Sequence, residues 1–175
     1  AQSIEKIISA AEKHIGFEAN IEITLEANPG SAEQKKFADF YTAGVNRLSI
    51  GVQSFNDQHL KSLGRIHSAE HAKKAIEMAQ KSGFERFNID LMHGLPDQSR
   101  EDAMADLDIA IQTGATHISW YQLTIEPNTS FFSRPPVLPE EDQLADIQDL
   151  GMHKLSSAGF SQYEVSAFGK AGEAC

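Results

Sequence analysis

Cysteine is nearly absent: the 175 residues hold one, Cys175. A lone thiol excludes an intrachain disulfide framework and fits a reducing compartment. It also excludes a cluster or zinc site built from several thiolates of this chain. Cationic side chains are scarce as well, with 15 Lys and Arg against 25 Asp and Glu and a formal charge of -10. Duplex binding calls for a basic face, so nucleic acid drops out as a partner class, and an anionic membrane surface is disfavoured. No apolar run approaches the ~20 residues of a membrane-spanning helix. The first residues form no signal peptide, and a cytoplasmic protein is expected. Several motifs are missing too. No Gly-x-Gly-x-x-Gly turn follows a strand, and no His-Glu-x-x-His, Gly-x-Ser-x-Gly or phosphate-binding P-loop occurs.

What is present is an ordinary globular composition, 41% hydrophobic and 23% charged, long enough for one domain with a real core. Its hydrophobic pattern alternates between two periods. Ile4, Ile7, Ile8, Ala11 and Ile15 share a helical face behind a Ser3 cap. Ile21 to Leu25 alternates as a strand. Ser31 to Gln34 fits a capping box for a helix carrying Phe37, Phe40 and Tyr41 and ending at Gly44. Strands are expected again at Arg47–Gly51, Phe87–Leu91, His117–Leu123 and Gln162–Val165. Helices lie between them: a short one around Leu60, one from Ser68 to Ser82, and one opened by Ser99-Arg-Glu-Asp102 with Met104, Leu107 and Ile111 buried. The last starts near Pro139 and runs through Leu144, Ile147 and Leu155. Strands spaced by helices pair in parallel through right-handed crossovers. The fold class is therefore α/β, and without a dinucleotide fingerprint a partial (β/α) barrel is the better expectation.

Ligands of parallel α/β folds collect at the C-terminal strand ends. Here the four main strands end in Leu25-Glu26-Ala-Asn28-Pro-Gly30, Gly51-Val-Gln53-Ser54-Phe55, Asp90-Leu-Met-His93-Gly-Leu-Pro96 and Gln122-Leu-Thr124-Ile-Glu126-Pro127. Polar groups cost free energy when buried without partners, so Glu26, Gln53 and Asp90 on one rim point to a ligand site. Arg65, in Leu63-Gly-Arg-Ile-His67, offers a fork for a carboxylate. Together they fit a small polar zwitterion. Asn28 and Asn56 are expected as turn or helix caps. His93 is expected as a hydrogen-bonding rim residue, and Trp120 as core. His67 and His71 are four apart but poorly placed to share a metal.

Six phrases, in order, carry a resemblance: Glu22-Ile-Thr-Leu-Glu-Ala-Asn-Pro-Gly30, Gly44-Val-Asn-Arg-Leu-Ser-Ile-Gly-Val-Gln-Ser-Phe55, Leu63-Gly-Arg-Ile-His67, Asn88-Ile-Asp-Leu-Met-His-Gly-Leu-Pro96, Tyr121-Gln-Leu-Thr-Ile-Glu-Pro127 and Gln162-Tyr-Glu-Val-Ser166. The sequence resembles the radical S-adenosylmethionine (SAM) family of oxygen-independent coproporphyrinogen III oxidases and their heme-chaperone relatives, the HemN/HemW type. The resemblance implies a TIM-like partial barrel in which a C-x-x-x-C-x-x-C loop holds a [4Fe–4S] cluster and the cluster's open iron binds SAM. It places Glu26 against the cluster-bound SAM, Gln53, Arg65 and Asp90 along the SAM-side cavity, and Thr124 at a further lining position. Residues 1–175 would be the later βα units of such a core, with the cysteine loop upstream of Ala1 and no catalytic or metal-ligating residue within the chain. The Glu-Ala-Asn-Pro and Gln-Ser-Phe phrases lean towards the heme-chaperone branch, with heme and heme-recipient proteins as partners. The alternatives are the oxidase, which decarboxylates coproporphyrinogen III to protoporphyrinogen IX, and an inactive SAM-binding piece. An open sheet edge in such a piece would favour self-association.

Overall fold

The computed structural model describes residues 1–30 and 36–172. The expected capping box at Ser31–Gln34, and Cys175, lie outside the described residues. Helix α1 spans Gln2–Ile15 and strand β1 Thr24–Ala27. Then follow α2 (Phe37–Thr42), β2 (Arg47–Gln53), α3 (Asp57–Ser62), α4 (Ala69–Lys81) and β3 (Phe87–His93). The chain continues through α5 (Arg100–Gln112), β4 (His117–Gln122), α6 (Ser130–Ser133), α7 (Glu141–Ser157), β5 (Phe160–Glu164) and β6 (Ala167–Lys170).

These strands form one six-stranded sheet in the order β1-β2-β3-β4-β6-β5. The first four pair in parallel, as the strand–helix alternation requires. The end of the sheet departs from that pattern. The expected fifth strand is the first arm of an antiparallel hairpin, and its second arm, β6, inserts antiparallel beside β4. Ser166, with φ 60, makes the tight reversal between the arms. A four-residue strand of Ala-Phe-Gly-Lys has no alternation to read, so β6 is invisible to periodicity.

Each central strand alternates strictly, and the alternation sorts the two faces of the sheet. Leu48, Ile50, Val52, Ile89, Leu91, Ile118 and Trp120 are all at most 1% exposed and make the core beneath the helices. Arg47, Ser49, Asn88, Asp90, Ser119 and Tyr121 fall on the opposite face. The helices are cut to length by their caps. Ser68 accepts from His71 N at the start of α4, and Ser99 accepts from Asp102 N at the start of α5, each in a full capping box. Asn56 caps α3 as expected, accepting from Gln58 N at 2.9 Å.

Three helical expectations need correction. Helix α1 starts from Ala1, with no side-chain cap from Ser3, and it buries no residue fully. Ile4, Ile8 and Ala11 turn towards the core, while Ile7, at the edge of that face, and Ile15, the last residue of the helix, remain 68% and 79% exposed. The inner stripe of α5 is Ala103, Asp106, Leu107 and Ala110, with Met104 and Ile111 only half-buried at its edges. The stripe is thus one step round the helix from the expected one, and it carries a carboxylate.

Helix α7 lies across the sheet's apolar face and is held close by a glycine. A Cβ on Gly151 would lie inside the Trp120 indole. Gly to Ala in an open helix interior gains up to about 1 kcal/mol, whereas overpacking a core costs roughly 1–3 kcal/mol. Here overlap wins. Gly151→Ala is expected to lower the melting temperature by roughly 3–10 °C, read by thermal unfolding followed by circular dichroism. An unchanged or higher midpoint would show that α7 can lift off Trp120 without loss.

Candidate functional site

The strand register builds the site row by row. Glu26 pairs with Ser49, and Ser49 with Asn88, so neighbouring strands carry polar side chains abreast on one face. One residue pair further along, Asp90 lies beside Ser119. These groups satisfy one another. Asn88 Nδ2 donates to Ser49 Oγ at 2.8 Å and to Asp90 Oδ1 at 2.7 Å. Ser49 Oγ donates to Asp90 Oδ2 at 3.1 Å, and Ser119 Oγ donates to Asn88 Oδ1 at 3.2 Å. A linked network of this kind costs little to bury and holds its members in fixed orientations.

Above the network the strand ends open into a cavity of about 470 Å³. Its walls include Glu26, Gln53, Arg65, Asp90 and Tyr121, with Asn28, Ser49 and Gly51 between them. Four of the five expected site residues therefore meet in one space. Thr124 does not join them: it lines a separate cavity of about 300 Å³ with Lys61, Glu126, Thr129 and Phe131. Strand β4 has ended at Gln122, so Thr124 follows the outgoing loop rather than the rim. His93 is not on the rim either. Its place in the strand alternation turns it towards α7, where it is 1% exposed with its ring 4.2 Å from Trp120. Burial lowers its pKa to about 4, so it is a neutral core imidazole. Asn28 lines the cavity.

Local chemistry explains how each wall residue arrives. Arg65 follows a Schellman closure of α3, in which Gly64 takes φ 72, its N–H reaches the Lys61 carbonyl at 3.0 Å and Arg65 N–H reaches the Leu60 carbonyl at 2.9 Å. The glycine lets the chain reverse and throws the guanidinium over the strand ends, where it ion-pairs with none of the described residues. Gly51 keeps the floor open: a Cβ there would stand 3.1 Å from Gln53 Nε2 and 3.4 Å from Asn28 Oδ1.

Gln53 is the unusual member. Its φ is 69, left-handed for a residue with a side chain, at a cost of roughly 1–3 kcal/mol. The β2–β3 register slips between Ile50 and Gln53, so the strand bulges and re-aims the carboxamide. Its Oε1 accepts from Tyr121 Oη at 2.8 Å.

The electrostatics follow from burial. Desolvation pushes the Asp90 carboxyl above the ordinary Asp range, opposed by hydrogen bonds from Ser49 and Asn88 and reinforced by the Glu26 charge. The Tyr121 phenol is raised by desolvation and next by the Asp90 charge. With both carboxylates ionised and Arg65 cationic, the wall carries a formal charge of about -1. Such a cavity accepts hydrogen bonds from cationic and hydroxyl groups at one side and donates to an anionic group at the other. Among the described residues no group of three or more His, Cys, Asp or Glu is arranged to hold a metal. His67 Nε2 is committed to the Val52 carbonyl oxygen at 3.0 Å and His71 belongs to the α4 capping box, so the pair is not a ligand set.

Sequence reasoning missed Ser49, Tyr121 and Gly51. The same period-two alternation that placed Asp90 marks all three, because they stand on its face of the sheet. Asp106 was missed for lack of the right helical phase.

Comparison with known proteins agrees with this fold. The model of the Radical SAM superfamily matches residues 2–110. The heme chaperone HemW of Haemophilus influenzae is 54% identical over 175 residues, all of this chain and 46% of its own length. The heme chaperone HemW of Escherichia coli is 52% identical over 173 residues, 99% of this chain and 46% of its own. The chain thus spans about half the length of these relatives. Among solved structures, the E. coli coproporphyrinogen III oxidase HemN, a radical SAM enzyme, superposes with a TM-score of 0.85 at 25% identity, covering 98% of this chain and 40% of that one. The fold is accordingly the TIM-like partial barrel of that enzyme. The chain belongs to the radical SAM superfamily.

Proposed function

We propose that residues 1–175 are the later βα units of a radical SAM core, that the strand-end cavity binds SAM, and that the whole protein is a HemW-type heme chaperone. The observation that carries the SAM reading is the meeting of Glu26, Asp90, Gln53 and Arg65 in one cavity. SAM carries an ammonium, a sulfonium and a carboxylate, a net charge of about +1 that complements a wall of about -1. Glu26 and Asp90 accept from the ammonium and ribose hydroxyls, and the Arg65 fork takes the carboxylate. When bound, SAM supplies a sulfonium whose reductive cleavage starts radical chemistry. The residues here bind and orient it. One cysteine cannot hold a [4Fe–4S] cluster, so no step is assigned to a cluster on these residues.

What supports the heme-chaperone branch is the identity to the HemW proteins of two bacteria, together with the Glu-Ala-Asn-Pro and Gln-Ser-Phe phrases. Heme and heme-recipient proteins are its partners in this reading, and the cytoplasm its place. No helix among the described residues is long and apolar enough to cross a membrane. The likeness to HemN favours a second reading, coproporphyrinogen III oxidation.

Three measurements test these readings. The full-length protein, reconstituted anaerobically with its cluster and given SAM, a reductant and coproporphyrinogen III, is expected to cleave SAM without forming protoporphyrinogen and to bind heme. Protoporphyrinogen in the product would make it an oxidase. Affinity for S-adenosylhomocysteine, measured by calorimetry, is expected to fall as the pH is lowered from neutrality into the acid range. The raised pKa of Asp90 means that its carboxylate is protonated earlier than an ordinary Asp, removing an acceptor. Asp90→Asn should bind more weakly at pH 7, by roughly 10-fold, and flatten that part of the pH profile. A profile of the same slope in the variant would remove Asp90 from the site. Lastly, among the described residues β1 has one strand neighbour, and Ile7 and Ile15 are exposed. The isolated 175-residue piece is therefore expected to self-associate, with a light-scattering mass that rises with concentration. A constant monomer mass speaks against it.

A further inference from the structure

Asp106 and His67 are buried polar residues that the cavity does not use. Asp106 is 3% exposed on an otherwise apolar stripe of α5, and a buried carboxylate needs specific partners to persist. It has two. Oδ1 accepts Phe55 N–H at 2.7 Å and Oδ2 accepts Ser54 Oγ–H at 2.7 Å. Ser54 Oγ also accepts Asn56 N–H at 3.0 Å, and Asn56 caps α3. On the other side of Gln53, His67 Nε2 lies 3.0 Å from the Val52 carbonyl oxygen. Burial holds the His67 pKa below its ordinary value, with the nearby Arg65 and His71 charges adding to the effect. Its neutral Nε2–H form donates to that carbonyl.

Both flanks of the left-handed Gln53 are therefore tied to groups outside the strand. A sparsely populated backbone conformation survives only where its surroundings over-determine it. Val52 and Phe55, 0% and 7% exposed, anchor the same two flanks in the core. The bulge and the Tyr121 bond fix where the carboxamide points once φ is set. His67 stands two residues beyond Arg65, so one contact also ties the arginine's loop to the strand end.

We propose that Asp106 and His67, neither of which lines the cavity, are positioning residues that lock Gln53 in its left-handed conformation and so fix the face that the carboxamide shows to a bound ligand. The identity of that ligand rests on the SAM reading, but the lock itself can be read in the unliganded protein. Asp106 on helix α5 and His67 on the loop after α3 thus act on the site through backbone geometry, apart from the direct contact that Arg65 makes from the same loop.

The test uses the full-length protein and the variants Asp106→Ala, Asp106→Asn, His67→Ala, His67→Gln and Gln53→Ala, with amide hydrogen exchange and S-adenosylhomocysteine binding as readouts. Asp106→Ala is expected to raise exchange at the Phe55 amide by about 10-fold or more, leaving β3 and β4 protected. It should weaken S-adenosylhomocysteine binding by roughly 10-fold in the wild-type background and less than 2-fold in Gln53→Ala, because coupled residues are non-additive. His67→Ala should show the same dependence on Gln53. Asp106→Asn keeps an acceptor for Phe55 N–H and His67→Gln keeps a donor for Val52, so each should recover most of the affinity. Equal losses in both backgrounds, or unchanged exchange at Phe55, would overturn the proposal. If the wild type binds no S-adenosylhomocysteine, the SAM reading falls and Phe55 exchange alone decides the lock. Should Asp106→Ala fail to fold, Ser54→Ala removes one arm of the same contact and is judged by the same readouts.

Discussion

A parallel sheet with one polar face faces a problem that most parallel sheets avoid by being apolar on both sides. Every group on that face must find a partner or remain wet. Here the Ser49–Asn88–Asp90–Ser119 network solves it, linking three strands through side chains as well as backbone. The consequence reaches the cavity directly. Asp90 belongs both to the network and to the cavity wall, so its carboxylate is oriented before any ligand arrives. Pre-orientation of this kind reduces what a ligand must do on binding.

The network also constrains what can change. Ser49 donates to Asp90 and accepts from Asn88, while Asn88 spends its amide on two neighbours and its oxygen on Ser119. Removing any one member leaves a half-satisfied partner inside the sheet face, which is worse than an apolar substitution of the whole set. The opposite face has a different tolerance. Leu48, Ile50, Ile89 and Ile118 meet helices through shape alone, and there the tight point is Gly151 against Trp120. One sheet thus carries two kinds of specification, hydrogen-bond pairing towards the cavity and volume towards the helices.

The legibility of the sequence divides along the same line. Period-two alternation in Arg47–Gly51 and Asn88–Leu91 is strong because one face is polar and the other apolar, so strands, faces and the rim residues Glu26, Gln53 and Asp90 could all be read. Arg65 was legible only in part: its loop offered a guanidinium fork, and its place along the cavity came from the resemblance. The failures have physical reasons too. His93 reads as a rim residue by position, yet strand parity turns it into the core. Thr124 lies beyond the last paired residue of β4, where parity gives no guidance. Strand β6 exists only because β4 offers it an edge, a tertiary fact absent from four residues of local sequence. Asp106 looked like the polar side of α5, since Met104 and Ile111 gave an equally good apolar line one step away.

Asp106 and Gln53 share that lesson. A carboxylate on a buried stripe and a left-handed residue with a side chain each break a local rule, and the carboxylate is bonded to the two residues that directly follow the left-handed one. Local rules yield where something else is being held in place. Strain at Gln53 alone would relax by flattening the bulge, and the carboxylate alone would be better replaced by Ala or Leu. Joined through Ser54 and Phe55, each supplies the reason for the other: the strain needs an outside hold, and the buried charge needs donors that only a bent chain end presents. A site assembled this way is specified from behind as much as from its own walls, and residues remote from the cavity then belong to its chemistry.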